Sequence, residues 1–132
     1  MPQMNKGGKW VFGWCEVGSS GEIQIPPEAF AEYGFRAGEP ILYLRGSRRS
    51  GGFSVGRQEK LSGSSTPLLR RSFGLGNVQG EGMIAVMPET GIQPRQRLLV
   101  VRGSEYALAF ITGGPIYEEA LNRSDIATFA IL

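Results

Sequence analysis

The sequence predicts a mostly β protein, in which two tandem copies of one β-β-α-β-β unit close into a single small β-barrel. One short helix belongs to the first copy, and a helical segment follows the second. Three observations predict this. Short β-branched and aromatic runs alternate with Gly- and Pro-rich turns. The chain matches itself at a shift of 61: Phe12, Gly13, Val17, Gly21, Ile23, Pro27 and Glu28 recur as Phe73, Gly74, Val78, Gly82, Ile84, Pro88 and Glu89, seven of seventeen positions without a gap. At 132 residues the chain suits one core, whereas a single unit of about 45 residues buries too little apolar surface to stand alone.

Residues 1–9 are polar and Gly-rich and read as a flexible tail. Residues 10–57 hold the first copy. Trp10 to Val17 supply an aromatic, β-branched strand, and the turn 18–21 leads to a short strand with Ile23 and Ile25 on one face. Pro26-Pro27 ends that strand, because proline has no N–H for a ladder, and Pro27 opens a helix over 27–33 that Gly34 stops. A strand over 40–45, a basic turn over 46–52 and a strand over 53–57 complete the unit. Residues 58–69 have linker composition.

The second copy spans 70–111. A shift of 57 sets Gly34, Leu42 and Arg45-Gly46-Ser47 against Gly91, Leu99 and Arg102-Gly103-Ser104, so the helix shrinks to little more than Glu89-Thr90. Ile41, Tyr43, Leu98 and Val100 are apolar on one parity of the third strands, and Leu42, Leu44, Leu99 and Val101 on the other, which predicts central strands buried on both faces. Two such units close a barrel by covering each other's open edges. In 112–132, Pro115 begins a helical segment; Ile126, Phe129, Ala130, Ile131 and Leu132 then make an end that calls for packing. A closed barrel has little spare edge, so the expected acceptor is a second copy of the chain, giving a homodimer through the C-terminal segment.

Composition narrows the chemistry. There is no His, one Cys and, among 12 acids, a single Asp. The commonest general base, Cys-rich zinc sites and Asp-rich cation loops therefore fall away, and the chain reads as non-enzymatic with no cofactor and no metal. Cys15, beside Trp14 and Glu16, reads as a small buried hydrophobe. Gly74, Gly76 and Gly80 read as strand and turn glycines, since no helix follows to meet a phosphate. Trp10 and Trp14 share one strand face and read as core or interface residues. No apolar run nears the roughly 18–20 residues that span a membrane, and the expected location is cytoplasmic.

The stretch GSSGEIQIPPEAFAEYGFRAGEPILYLRGS, with Gly21, Ile23, Ile25-Pro26, the helix to Tyr33, Gly34-Phe35, Ala37-Gly38-Glu39 and the strand 41–44, resembles the SpoVT–AbrB and MazE swapped-hairpin family. The resemblance covers residues 10–57, and 70–111 through the internal repeat. It implies an interlocked fold, here with one chain supplying both halves, and an AbrB-like transcriptional regulator of double-stranded DNA. Family members carry a Lys or Arg directly after the turn glycine; here Glu22 and Met83 stand at those positions.

The cations lie elsewhere. Residues 1–79 hold ten bases and six acids (10 − 6 = +4), and residues 80–132 hold four and six (4 − 6 = −2). Arg45, Arg48 and Arg49 occupy the turn between the third and fourth strands, Arg57, Arg70 and Arg71 flank the linker, and Lys9 aligns with Arg70. These seven are the candidate DNA-binding residues, a relocated basic surface whose contacts would be to phosphates. The alternatives are a solvated surface, on a module that binds a protein or small ligand and has lost DNA.

Overall fold

A computed structural model describes residues 2–4, 8–63 and 67–131. Met1, residues 5–7 of the expected tail, 64–66 of the expected linker and Leu132 lie outside the described residues.

The fold is mostly β with some helix. The first copy supplies β1 (Val11–Glu16), β2 (Glu22–Gln24), α1 (Pro27–Tyr33), β3 (Pro40–Arg45) and β4 (Phe53–Arg57). α2 (Gln58–Ser62) and a 3₁₀ turn (Pro67–Arg71) occupy the segment read as a linker. The second copy supplies β5 (Ser72–Asn77), β6 (Met83–Ala85), a 3₁₀ turn (Pro88–Thr90) in place of a helix, β7 (Arg97–Arg102) and β8 (Leu108–Ile111). α3 (Pro115–Leu121) and β9 (Thr128–Ala130) follow.

Equivalent elements exchange partners. β1 pairs with β7 and β5 with β3, so each copy's first strand lies on the other copy's third. The main sheet has the order β5-β3-β4-β8-β7-β1-β9, and β2 and β6 form a separate ribbon. Exchanging the copies reverses the first six strands onto themselves. Residues that match in the sequence also meet: Ile23 pairs with Ile84 in the ribbon, and Phe53 with Phe110 between β4 and β8, their rings stacked at 5.0 Å.

The expected closed barrel is not formed. The seven-stranded sheet has two ends, β5 and β9, and the ribbon joins neither. The reason lies in the length of β2 and β6. Each is three residues long, and Pro26-Pro27 and Pro88 follow closely, where the chain loses the donors needed to extend a ladder. The ribbon therefore covers one face of the sheet as a lid. Under it lie Cys15, Ile41, Tyr43, Phe53, Leu98, Val100 and Phe110, together with Ile23, Ile25 and Ile84. The opposite face is covered in two places: α3 packs over Trp14, Leu99, Val101 and Ile111, and α2 brings Leu61 onto Leu44 and Ala107.

Residues 2–4 and 126–130 are held by the chain's own strands. Met4 is buried, its N–H donating to Lys9 O (2.8 Å), and Val11 N–H donates to Pro2 O (2.9 Å). The segment expected to dock on a second copy runs along β1 of the same chain: β9 pairs with it in parallel, Cys15 opposite Phe129, and Ile126 is buried.

One turn occurs twice with different residues. Gly38 (φ 84°) donates its N–H to Val78 O (2.6 Å), and its counterpart Arg95 (φ 72°) donates to Val17 O (2.7 Å). The left-handed conformation that Gly38 adopts freely is imposed on Arg95 against its Cβ.

Candidate nucleic-acid interface

The basic turn is fixed by its hydrogen bonds. Gly51 N–H donates to Ser47 O (2.9 Å), Ser50 N–H donates to Ser47 Oγ (3.1 Å), and Thr112 and Gly113 N–H groups both donate to Ser50 O (3.0 and 2.9 Å). Gly52 (φ 71°) lies so close to β8 that a Cβ there would stand 1.9 Å from Phe110 O. Only glycine lets the turn fold back this tightly. Arg48 and Arg49 project from this fastened turn and are exposed.

Arg45, Arg70 and Arg71 meet beside it. Arg71 donates from Nε and Nη2 to Arg45 O (3.0 and 2.5 Å), and Arg45 Nη2 donates to Arg70 O (3.4 Å). Ion pairs within 4.0 Å among the described residues involve Arg36, Arg57, Arg102 and Arg123, and none of these three. The cluster arises because β3 ends where β5 begins, Leu44 lying opposite Ser72. The strand exchange thus unites cations from the two sides of the 58–69 segment.

A cleft of about 250 Å³ continues from the cluster across the β4–β8 pair. Lys9, Arg71 and Arg102 line it, with Ser47, Ser50 and Ser54, and among the described residues no carboxylate lines it. Arg102 is held by a bidentate pair with Glu32. Sequence reasoning passed over Arg102, although it is the counterpart of Arg45 in the repeated Arg-Gly-Ser. That repeat was the signal available for finding it.

Of the seven expected site residues, six therefore border one region: Lys9, Arg45, Arg48, Arg49, Arg70 and Arg71. Arg57 stands apart. It sits at the far end of the β3–β4 hairpin, opposite Ile41, and its Nε donates to Glu39 Oε1 at 2.7 Å with Glu59 also near. Its charge is spent within the fold.

The corner between β1 and β2, where the family resemblance implies DNA contact, is different in kind. Glu22 sits there with Gly18, Ser19 and Ser20 along a separate cleft. Cys15, behind it, is buried; its thiol donates to Gln24 O (3.0 Å), and burial pushes its pKa up to about 12. Such a thiol is neither a nucleophile nor a ready metal ligand. Burial likewise pushes the Tyr43 hydroxyl up to about 12, while it donates to Ala85 O at 2.6 Å and ties the sheet to the ribbon. Among the described residues no group of three or more His, Cys, Asp and Glu side chains is placed to hold a metal ion.

No family model, curated protein or solved structure matches the chain.

Proposed function

We propose that the protein is a non-enzymatic, AbrB-like transcriptional regulator that binds the backbone of double-stranded DNA through Arg45, Arg48, Arg49, Arg70 and Arg71, with Lys9 at the border. The observation that carries this reading is the meeting of Arg45, Arg70 and Arg71, with no ion pair within 4.0 Å among the described residues, beside a hydrogen-bonded turn that presents two more arginines. Unpaired cations near one another repel, and a structure that nonetheless gathers them is suited to a polyanion. A held turn also adds little ordering cost on binding.

Titration of a labelled DNA duplex at several salt concentrations tests it. Replacing both Arg48 and Arg49 by Ala reduces the slope of log K against log salt by about 0.9 for each phosphate contact removed. Arg57→Ala, whose partner is Glu39, leaves the slope unchanged. Absence of duplex binding, or a slope indifferent to Arg48 and Arg49, defeats the reading.

A further inference from the structure

The cleft over the β4–β8 pair differs from three other clefts of this surface. The cleft at Tyr33 and Lys60 contains Glu32 and Glu105, that at Phe73 contains Glu89, and that at Ser19 contains Glu22. The β4–β8 cleft contains cations and hydroxyls, and among the described residues no carboxylate lines it. Its apolar part is formed by Val101, Ala109 and Ile111 from the sheet and Ile116 from α3. The opening exists because Ser54 and Ala109, directly opposite each other, are small, and α2 and α3 cover the sheet only to either side of them.

We propose that this cleft binds a small phosphomonoester with an apolar body. Charge supports the class. Glu32 offsets Arg102, so among the described lining residues Lys9 and Arg71 leave a balance of two positive charges, matching a phosphate that carries about −1.5 to −2 at neutral pH. Hydroxyls of Ser47, Ser50 and Ser54 add donors that suit phosphate oxygens. Free inorganic phosphate would leave the apolar part wet, whereas an organic body covers it, and a few polar groups converging on an apolar cleft are the usual make-up of a small-molecule site. At about 250 Å³ the space suits one small molecule and is too small for a duplex. The site goes beyond the nucleic-acid reading and shares Arg71, and Lys9 at its border, with the residues of that reading.

The test compares phenyl phosphate with inorganic phosphate, by calorimetry and by Trp fluorescence, since Arg102 lies 6.0 Å from the centre of the Trp10 ring. Phenyl phosphate is expected to bind at least about tenfold tighter, a difference of about 1.4 kcal/mol. Lys9→Ala, at an exposed position, weakens it by about tenfold or more. Ala109→Leu fills the cleft and abolishes binding, while the salt slope for the duplex stays as in the parent chain. Equal affinity for the two phosphates, no binding of either, or indifference to Lys9→Ala overturns the proposal; the Lys9 variant carries the test if Ala109→Leu fails to fold. Phenyl phosphate binding without duplex binding removes the DNA reading alone, and duplex binding without phenyl phosphate binding removes this one alone.

Discussion

β1 and β5 hold the same place in the two copies and end up in opposite situations. Trp14 and Leu75 are counterparts at a shift of 61. Trp14 is 2% exposed, its ring in edge contact with Tyr117 at 5.1 Å and under the Arg97 guanidinium at 4.3 Å. Leu75 is 58% exposed. β1 has a partner on each side, β7 and β9, whereas β5 has only β3. The difference comes from residues 112–131, which have no counterpart after the first copy and finish one edge only. A repeated sequence thus repeats its pairing without repeating its protection from solvent.

The largest expected effect tests that contrast directly. Trp14→Ala removes a buried aromatic and should lower the unfolding free energy by about 3–5 kcal/mol. Leu75→Ala, at the equivalent position, should change it by about 0.5 kcal/mol or less. Urea titrations of both variants check this, and similar losses at the two sites would break the comparison.

A smaller contrast lies in two equivalent glycines. A Cβ at Gly13 would stand 2.7 Å from Phe129 Cε2 and 2.9 Å from Ala127 O, so β9 can approach only because the side chain is missing. A Cβ at Gly74 would meet nothing closer than Met87 Cε at 3.4 Å. Gly13→Ala should cost about 1–3 kcal/mol through overpacking, and Gly74→Ala should be neutral or stabilising by about 0.5 kcal/mol as the strand loses a glycine. Protection of the β9 amides from hydrogen exchange sharpens the result: it falls in the Gly13 variant and holds in the Gly74 variant.

The smallest effect belongs to the turn that uses Gly38 once and Arg95 once. Gly38→Ala forces a Cβ into φ 84° and should cost about 1 kcal/mol. Arg95→Gly relieves the same strain at φ 72°, but the freer unfolded chain offsets part of the gain, leaving less than about 1 kcal/mol of stabilisation. Thermal melts of the two variants should shift in opposite directions.

These pairs also mark what was legible beforehand. Pro27 and Gly34 delimit α1 by removing a donor and by supplying a left-handed cap (φ 71°), both local properties of single residues. The order of strands is local in the same sense. Closure is not. Whether β2 and β6 reach β1 and β5 depends on where a three-residue ribbon sits in space, and nothing in Ile23 or Ile84 reports that they face each other. The apolar residues 126–131 were readable as an end that must pack, while their acceptor, the free edge of β1, exists only because the barrel stays open. At the site, Arg45, Arg48, Arg49, Arg70 and Arg71 were visible as charges. That Arg57 would be held by Glu39 follows from the register of the β3–β4 hairpin, and that Arg102 would line one cleft with Lys9 and Arg71 follows from strand exchange between distant segments.

The exchange also sets the timetable on which the chain acquires its structure during synthesis. The β3–β4 hairpin closes over a short loop, Arg45 opposite Phe53, and can form soon after it emerges from the ribosome. β1 has no partner strand nearby in the sequence, though Val11 N–H bonds locally to Pro2 O. Val11 waits for Val101 and Trp14 for Leu99, and at roughly 5–20 residues per second that delay is on the order of ten seconds. Throughout it Val11, Phe12 and Trp14, all buried in the finished molecule, are presented to solvent or to a chaperone as an aromatic strand without its partner strand. The interlock that unites the two halves therefore makes the first of them a dependant of the second for as long as translation lasts.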